Sequence, residues 1–193
     1  VDGTSRNDGV AASAWNGDDG AMHTIVGPDG RSYQVTIARE GCRLEYVQAL
    51  TPQSGATFGS SLAADGRDLV VGASRETSSA GTSGAGATYV YTVPLGGGVR
   101  PIARLVPSVQ DDDDRLGTST AICGDDLYGT AFGEDGALGA PLTDNSAPQA
   151  GAVHHFRRRQ GRWQWSDVMR ASITGTEYGR GLACDRQSGS VVG

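Results

Sequence analysis

Thirty glycines in 193 residues are about twice the average share, while hydrophobic residues at 37% and aromatics at 6% are sparse for a chain that must bury a core, which favours short strands and turns. Sixteen arginines and no lysine against seventeen aspartates and five glutamates give a net charge of 16 − 22 = −6, which argues against non-specific affinity for nucleic acid or an anionic membrane. Apolar runs reach only four or five residues, far below the roughly 20 that span a bilayer, and the first residues lack the basic start and apolar core of a signal peptide, so no membrane insertion is expected.

In chain order, the first predicted strands are Asp8-Gly9-Val10-Ala11, Thr24-Ile25-Val26-Gly27-Pro28, Gly30-Arg31-Ser32-Tyr33-Gln34-Val35 and residues 44–50. A clearer set follows: Phe58-Gly59-Ser60-Ser61-Leu62-Ala63, a turn at Asp65-Gly66-Arg67-Asp68, then Leu69-Val70-Val71-Gly72-Ala73, Gly86-Ala87-Thr88-Tyr89-Val90-Tyr91 and Ile102-Ala103-Arg104-Leu105. The next set starts at Leu116-Gly117-Thr118-Ser119, reaches Gly139-Ala140-Pro141, continues through Gly151-Ala152-Val153-His154-His155-Phe156 and closes over 163–169. A last set starts at Tyr178-Gly179-Arg180-Gly181-Leu182-Ala183 and reaches Val191-Val192-Gly193. Starts at residues 8, 58, 116 and 178 are spaced by 50, 58 and 62. Recurrence of one order of elements at such a period marks a repeat architecture. Each unit reads as four short strands joined by Gly and Asp turns, with period-two alternation in segments such as Tyr33-Gln34-Val35-Thr36-Ile37. Such a unit cannot bury both faces alone. Neighbours must pack face to face, and radial packing also protects their edges, so the expected fold is all-β: β-propeller blades of four antiparallel strands. We read residues 1–193 as a single partial propeller of about 3.5 blades, with units 8–57, 58–115, 116–177 and an incomplete 178–193.

At these residues the chain resembles the FG-GAP repeat family, found in integrin α-subunit propellers and in many bacterial surface proteins. Phe58-Gly59 matches the first half of the motif and Gly139-Ala140-Pro141 the second; Gly72-Ala73-Ser74 and Gly27-Pro28 are softened versions. Asp8 and Leu116 stand where the family has Phe, and extra residues fall around 128–136. The resemblance implies a seven-bladed ring at the cell surface or outside the cell, binding a protein or glycan. Three and a half units leave that ring open, to be completed by more of a longer chain or by a second copy in a homo-oligomer.

Propeller geometry puts the loops between second and third strands on the same face as the loops entering the next blade. Loops 74–84 and 142–150, with entry loops 51–57, 107–115 and 174–177, should therefore converge there, where loops on a rigid scaffold carry ligand chemistry. The candidate ligand-binding residues are Arg75, Glu76, Asp111, Asp112, Asp113, Asp114, Asp144, Asn145 and Glu177. Calcium is the cofactor that the resemblance admits, on loops between first and second strands. The turns at Asp65-Gly66-Arg67-Asp68 and Gly124-Asp125-Asp126 are too short to wrap an ion that demands several oxygens, which leaves Asn16 and Asp18 as metal ligands, with solvated acidic turns as the simpler reading.

Arg157, Arg158, Arg159 and Arg162 lie beside Trp163 and Trp165. They suit either an anionic glycan or, more simply, a solvated outer turn with indoles packed between blades. His154 and His155 are adjacent in a strand and should face opposite sides. No nucleophile elbow or phosphate loop is present. Cys123 and Cys184 occupy similar places after their units' first strands and are read as two small buried thiols that could be neighbours; Cys42 stands apart. The expected function is a non-enzymatic extracellular or cell-surface binding or adhesion module. The competing readings are a propeller-scaffold hydrolase or lyase, or its accessory domain, and a self-assembly unit using open blade edges.

Overall fold

The computed structural model describes residues 22–26, 31–38, 41–50, 56–94, 98–171, 173–185 and 190–192, with side chains from residue 50 to residue 185 within those stretches. The expected strand at 8–11 and the candidate ligands Asn16 and Asp18 lie outside the described residues. The described residues are all-β. In chain order the strands are β1 (Met22–Val26), β2 (Arg31–Ala38), β3 (Gly41–Ala49), β4 (Phe58–Asp65), β5 (Asp68–Ala73), β6 (Ala87–Thr92), β7 (Arg100–Leu105), β8 (Leu116–Cys123), β9 (Asp126–Ala131), β10 (Ala152–Arg159), β11 (Arg162–Arg170), β12 (Ala183–Asp185) and β13 (Ser190–Val192).

Two sheets have four antiparallel strands in simple sequential order, β4-β5-β6-β7 and β8-β9-β10-β11, as propeller blades do. In the chain they are preceded by a three-stranded sheet, β1-β2-β3, and followed by a two-stranded one, β12-β13. The two blades share one register: Phe58 pairs with Ala73 and Ala73 with Ala87, just as Leu116 pairs with Ala131 and Ala131 with Ala152. Each first strand is irregular after its opening residue. The backbone there is left-handed, at Thr57 and Gly59, at Arg115 and Gly117, and again at Glu177 and Gly179 ahead of β12.

One expectation fails. Gly139-Ala140-Pro141 does not close the second strand of its unit; that strand is β9, and Thr130-Ala131 holds the place of Gly72-Ala73. The tight turn at Gly124-Asp125 forces β9 back along β8 immediately, so the literal motif falls in a loop over 132–151.

The core sits between the blades. Ala63, Val70, Val90 and Leu105 of the first pack against Leu116, Ile122, Leu127, Phe156 and Trp163 of the second. The other face of the first blade buries Phe58, Leu69, Val71, Ala73 and Tyr91 with Leu50 from the preceding unit. Because both faces are covered, β5 is an unbroken apolar run rather than an alternating one, as a doubly buried strand should be. Near the inner strands the backbones almost touch: a Cβ on Gly72 would lie 1.9 Å from the Gly117 carbonyl oxygen, so only glycine fits. That oxygen accepts hydrogen bonds from the Ser60 and Ser61 hydroxyls at 2.9 and 2.8 Å.

At the opposite end of the inner strands, the Asp65 carboxylate accepts the Gly124 amide across the blades. One step further on, Cys123 and Cys184 form a disulfide with a Cα–Cα separation of 6.2 Å. Two free buried thiols are thus ruled out. Equivalent inner strands run side by side, and the bridge ties β8 to β12.

Candidate ligand-binding loop face

Each loop between second and third strands is bonded to the loop that enters the next blade, by the same three backbone contacts. The Asp113, Arg115 and Leu116 amides donate to the Ser83, Gly84 and Ala85 carbonyls at 2.8, 2.9 and 3.0 Å. One unit later, the Gly175, Glu177 and Tyr178 amides donate to Pro148, Gln149 and Ala150 at 3.0, 3.1 and 3.0 Å. These loops form one continuous surface at one end of the blades.

A buried glutamate anchors the root of each long loop. Glu76 lies three residues past Ala73, is 1% exposed, and accepts from the Tyr89 hydroxyl at 2.5 Å and the Arg104 guanidinium at 2.6 Å. Glu134 lies three residues past Ala131 and accepts from Arg170 at 2.7 Å; that ion pair is sealed, with side chains 7% and 1% exposed. A charge kept from water needs such a partner, since the interior otherwise disfavours the ionised form. Burial pushes the Glu134 carboxyl up while the Arg170 guanidinium opposes it. Burial, followed by the Glu76 carboxylate, also lifts the Tyr89 hydroxyl to about 12. Arg170 further donates to the Ala140 and Pro141 carbonyls at 2.8 and 3.0 Å, so the displaced Gly-Ala-Pro segment is what this arginine holds.

Glu76, expected to face a ligand, is therefore part of the scaffold. The remaining expected residues divide. Asp114 is buried, accepts from the Asp111 amide at 2.7 Å, and has its carboxyl lifted to about 7 by burial, with Glu134, Asp111 and Asp135 adding to the rise. Asp112 takes the Ser83 amide at 2.7 Å, and Asp144 takes the Ala137 amide at 2.8 Å and the Ser146 hydroxyl at 2.9 Å, which holds its carboxyl below the usual range. Asp113 pairs with Arg115 at 3.2 Å, and Glu177 pairs with Arg180. Both of these arginines lie over the Phe132 ring, 5.1 and 5.6 Å from its centre. Two ion pairs from successive entry loops thus converge on one aromatic ring, an arrangement in which Phe132, Arg115 and Arg180 had no forewarning in the motif. Arg75 and Asn145 are exposed, and neither side chain bonds to another described residue.

Behind this face, His154 is 1% exposed and burial holds its imidazole down at about 4, so it is neutral at pH 7. Its Nδ1 accepts from the Trp165 indole at 3.2 Å, which places the proton on Nε2, 3.9 Å from Glu134. His155 points to the other face, as adjacency in a strand dictates: it stacks on Tyr128 at 4.8 Å and meets Asp126 at 2.7 Å. Arg158 bridges blades, reaching Asp68 and Asp125 at 2.7 Å each and lying 4.8 Å over the Trp163 ring.

The first-to-second turns consequently spend their carboxylates on Gly124, Arg158, His155 and Arg157. Calcium does not fit them, and among the described residues no group of three or more His, Cys, Asp or Glu side chains is placed to hold a metal. Nor, among those residues, is any helix long and apolar enough to cross a membrane.

Blades that meander outward, pack face to face and gather their loops at one end define a propeller-type repeat module. Residues 47–91 match the family model of the FG-GAP repeat, from within β3 through Phe58-Gly59 and Gly72-Ala73 into β6. The chain carries an FG-GAP repeat. No curated protein matches it.

Proposed function

We propose that the chain is an extracellular or cell-surface binding module that presents its loop face to a protein or glycan. The observation that supports this most directly is the bonded pairing of long loops with entry loops in two successive units, which fixes exposed polar side chains on a rigid base. Arg75, Asp112, Asn145 and the two ion pairs around Phe132 make up the contact surface. The loop backbone beneath them is fixed in advance, so binding costs little loop ordering and a polar surface of modest size can hold a ligand. The test is capture of the chain by immobilised extracellular-matrix proteins and neutral glycans, compared with the variant Arg75→Ala, Asn145→Ala. Both side chains are exposed and bond to no other described residue, so the variant should fold as the parent does and lose capture. Undiminished capture would overturn the assignment of the face.

A further inference from the structure

The arginine-rich hairpin at the other end of the second blade carries a separate site. Strand alternation splits its run of arginines. Arg158 turns toward the first blade and is held by Asp68, Asp125 and the Gly124 carbonyl. Arg157 and Arg159 turn the other way, and the pairing of β10 with β11 sets Gln164 across from Arg157 and Arg162 across from Arg159. Arg157, Arg159, Arg162 and Gln164 are all exposed. Two carboxylates share this face: Asp126, 3.3 Å from Arg157 and also bonded to His155, and Asp167, which the strand pairing sets across from His155. Among the described residues Arg159 and Arg162 have no acidic partner. In a chain of net charge −6, three guanidiniums against two carboxylates, both displaced toward His155, leave the hairpin end locally positive.

These side chains enclose a groove. Arg157, Arg159, Gln164, Trp165 and Ser166 line a space of about 100 Å³, well under the roughly 300–1,000 Å³ of pockets for whole small molecules. Its lining is rich in donors: two guanidiniums, a primary amide and a hydroxyl. Trp165 pairs with Phe156 and donates its indole N–H to His154, so its ring turns toward the core, away from Arg157 and Arg159, and the groove is a polar one.

We propose that this groove binds a sulfate ester of an acidic glycan, with Arg157, Arg159 and Gln164 donating to the ester oxygens and Arg162 reinforcing the charge. The forked geometry of guanidinium suits a tetrahedral oxyanion, and charge-assisted bonds are the strong ones. The groove admits one such group, not a long phosphate backbone, and the overall negative charge disfavours nucleic acid.

The test is calorimetric titration of the chain with a heparin-derived octasaccharide, its desulfated counterpart and a short DNA duplex at physiological ionic strength. Loss of two charge-assisted contacts is on the order of tenfold or more in affinity. Arg159→Gln with Arg162→Gln should weaken binding of the sulfated probe by that much, as should desulfation. Arg67→Gln with Arg100→Gln removes the same charge from exposed positions elsewhere and should leave binding unchanged. Absence of binding, equal losses in the two double variants, equal affinity for the desulfated probe, or equal affinity for DNA would each overturn the proposal. None of these outcomes bears on the loop face, which lies at the opposite end of the blade.

Discussion

Replacing Cys184 by serine opens a covalent loop whose ends are 61 residues apart in sequence, one at the end of the second blade's inner strand and the other in β12. In the chain-entropy account, closing a loop of that length removes about 14 cal/mol/K from the unfolded ensemble, or roughly 4 kcal/mol at 25 °C. Net stabilities of whole domains are about 5–15 kcal/mol, so the bridge is a large fraction of what holds the chain folded. Urea unfolding followed by far-ultraviolet circular dichroism should therefore show a loss of several kcal/mol in Cys184→Ser, in Cys123→Ser and in the double variant alike, because either single change removes the same link. Reducing agent should lower the parent to the level of the variants and leave the double variant where it is. Thiol titration of the unfolded, unreduced chain gives an independent reading. Three free thiols, or equal stability of parent and double variant, would refute the reasoning.

Asp114 offers a test with a definite sign. Its folded carboxyl is lifted from 3.8 to about 7, so between those values the folded state binds more protons than the unfolded state. The stability contributed is full below the unfolded value and is lost as pH rises through about 7, a change of at most about 4 kcal/mol at 1.36 kcal/mol per pKa unit. Asp114→Asn keeps an acceptor for the Asp111 amide and should flatten the fall in melting temperature from pH 5 to pH 8; an unchanged slope would count against the burial argument. Arg170→Met leaves Glu134 without its cation and should cost about 3–5 kcal/mol, with part recovered by adding Glu134→Gln in a double-mutant cycle read by urea denaturation. Phe156→Ala empties a fully buried site between the blades and should cost about 3–5 kcal/mol by the same measurement; a loss below about 1 kcal/mol would mean the interface collapses around the gap.

The blade architecture was legible because strand spacing, turn residues and the opening Phe58-Gly59 repeat in order along the chain. What misled was the literal Gly139-Ala140-Pro141. Aligning on it conceals that Glu76 and Glu134 stand at the same place in their units, three residues past the second strand, where each meets an arginine from the fourth. Periodicity locates strands but says nothing about which loop residue turns inward, so Glu76 read as a ligand contact. The adjacency of Cys123 and Cys184 could be suspected from their similar places in successive units. Bond formation depends on the side-by-side course of β8 and β12, which spacing alone does not fix. The convergence of Arg115 and Arg180 on Phe132 joins residues from different units at irregular spacing, and no pattern announces it.

Val70 faces Val90 across the first blade, and the equivalent cross-strand pair in the second blade is Tyr128 with His155. The first pair belongs to the apolar seam between the blades, whereas the second is a polar stack joined to Asp126 and, through it, to Arg157. The two surfaces are therefore not interchangeable. A blade that docked one place out of order, within a chain or between copies, would set this polar stack where an apolar face expects valines and bury its carboxylate away from water. Repeats of similar outline are prone to mispairing during folding, and this difference between successive surfaces acts as a check on the sequence in which blades can join.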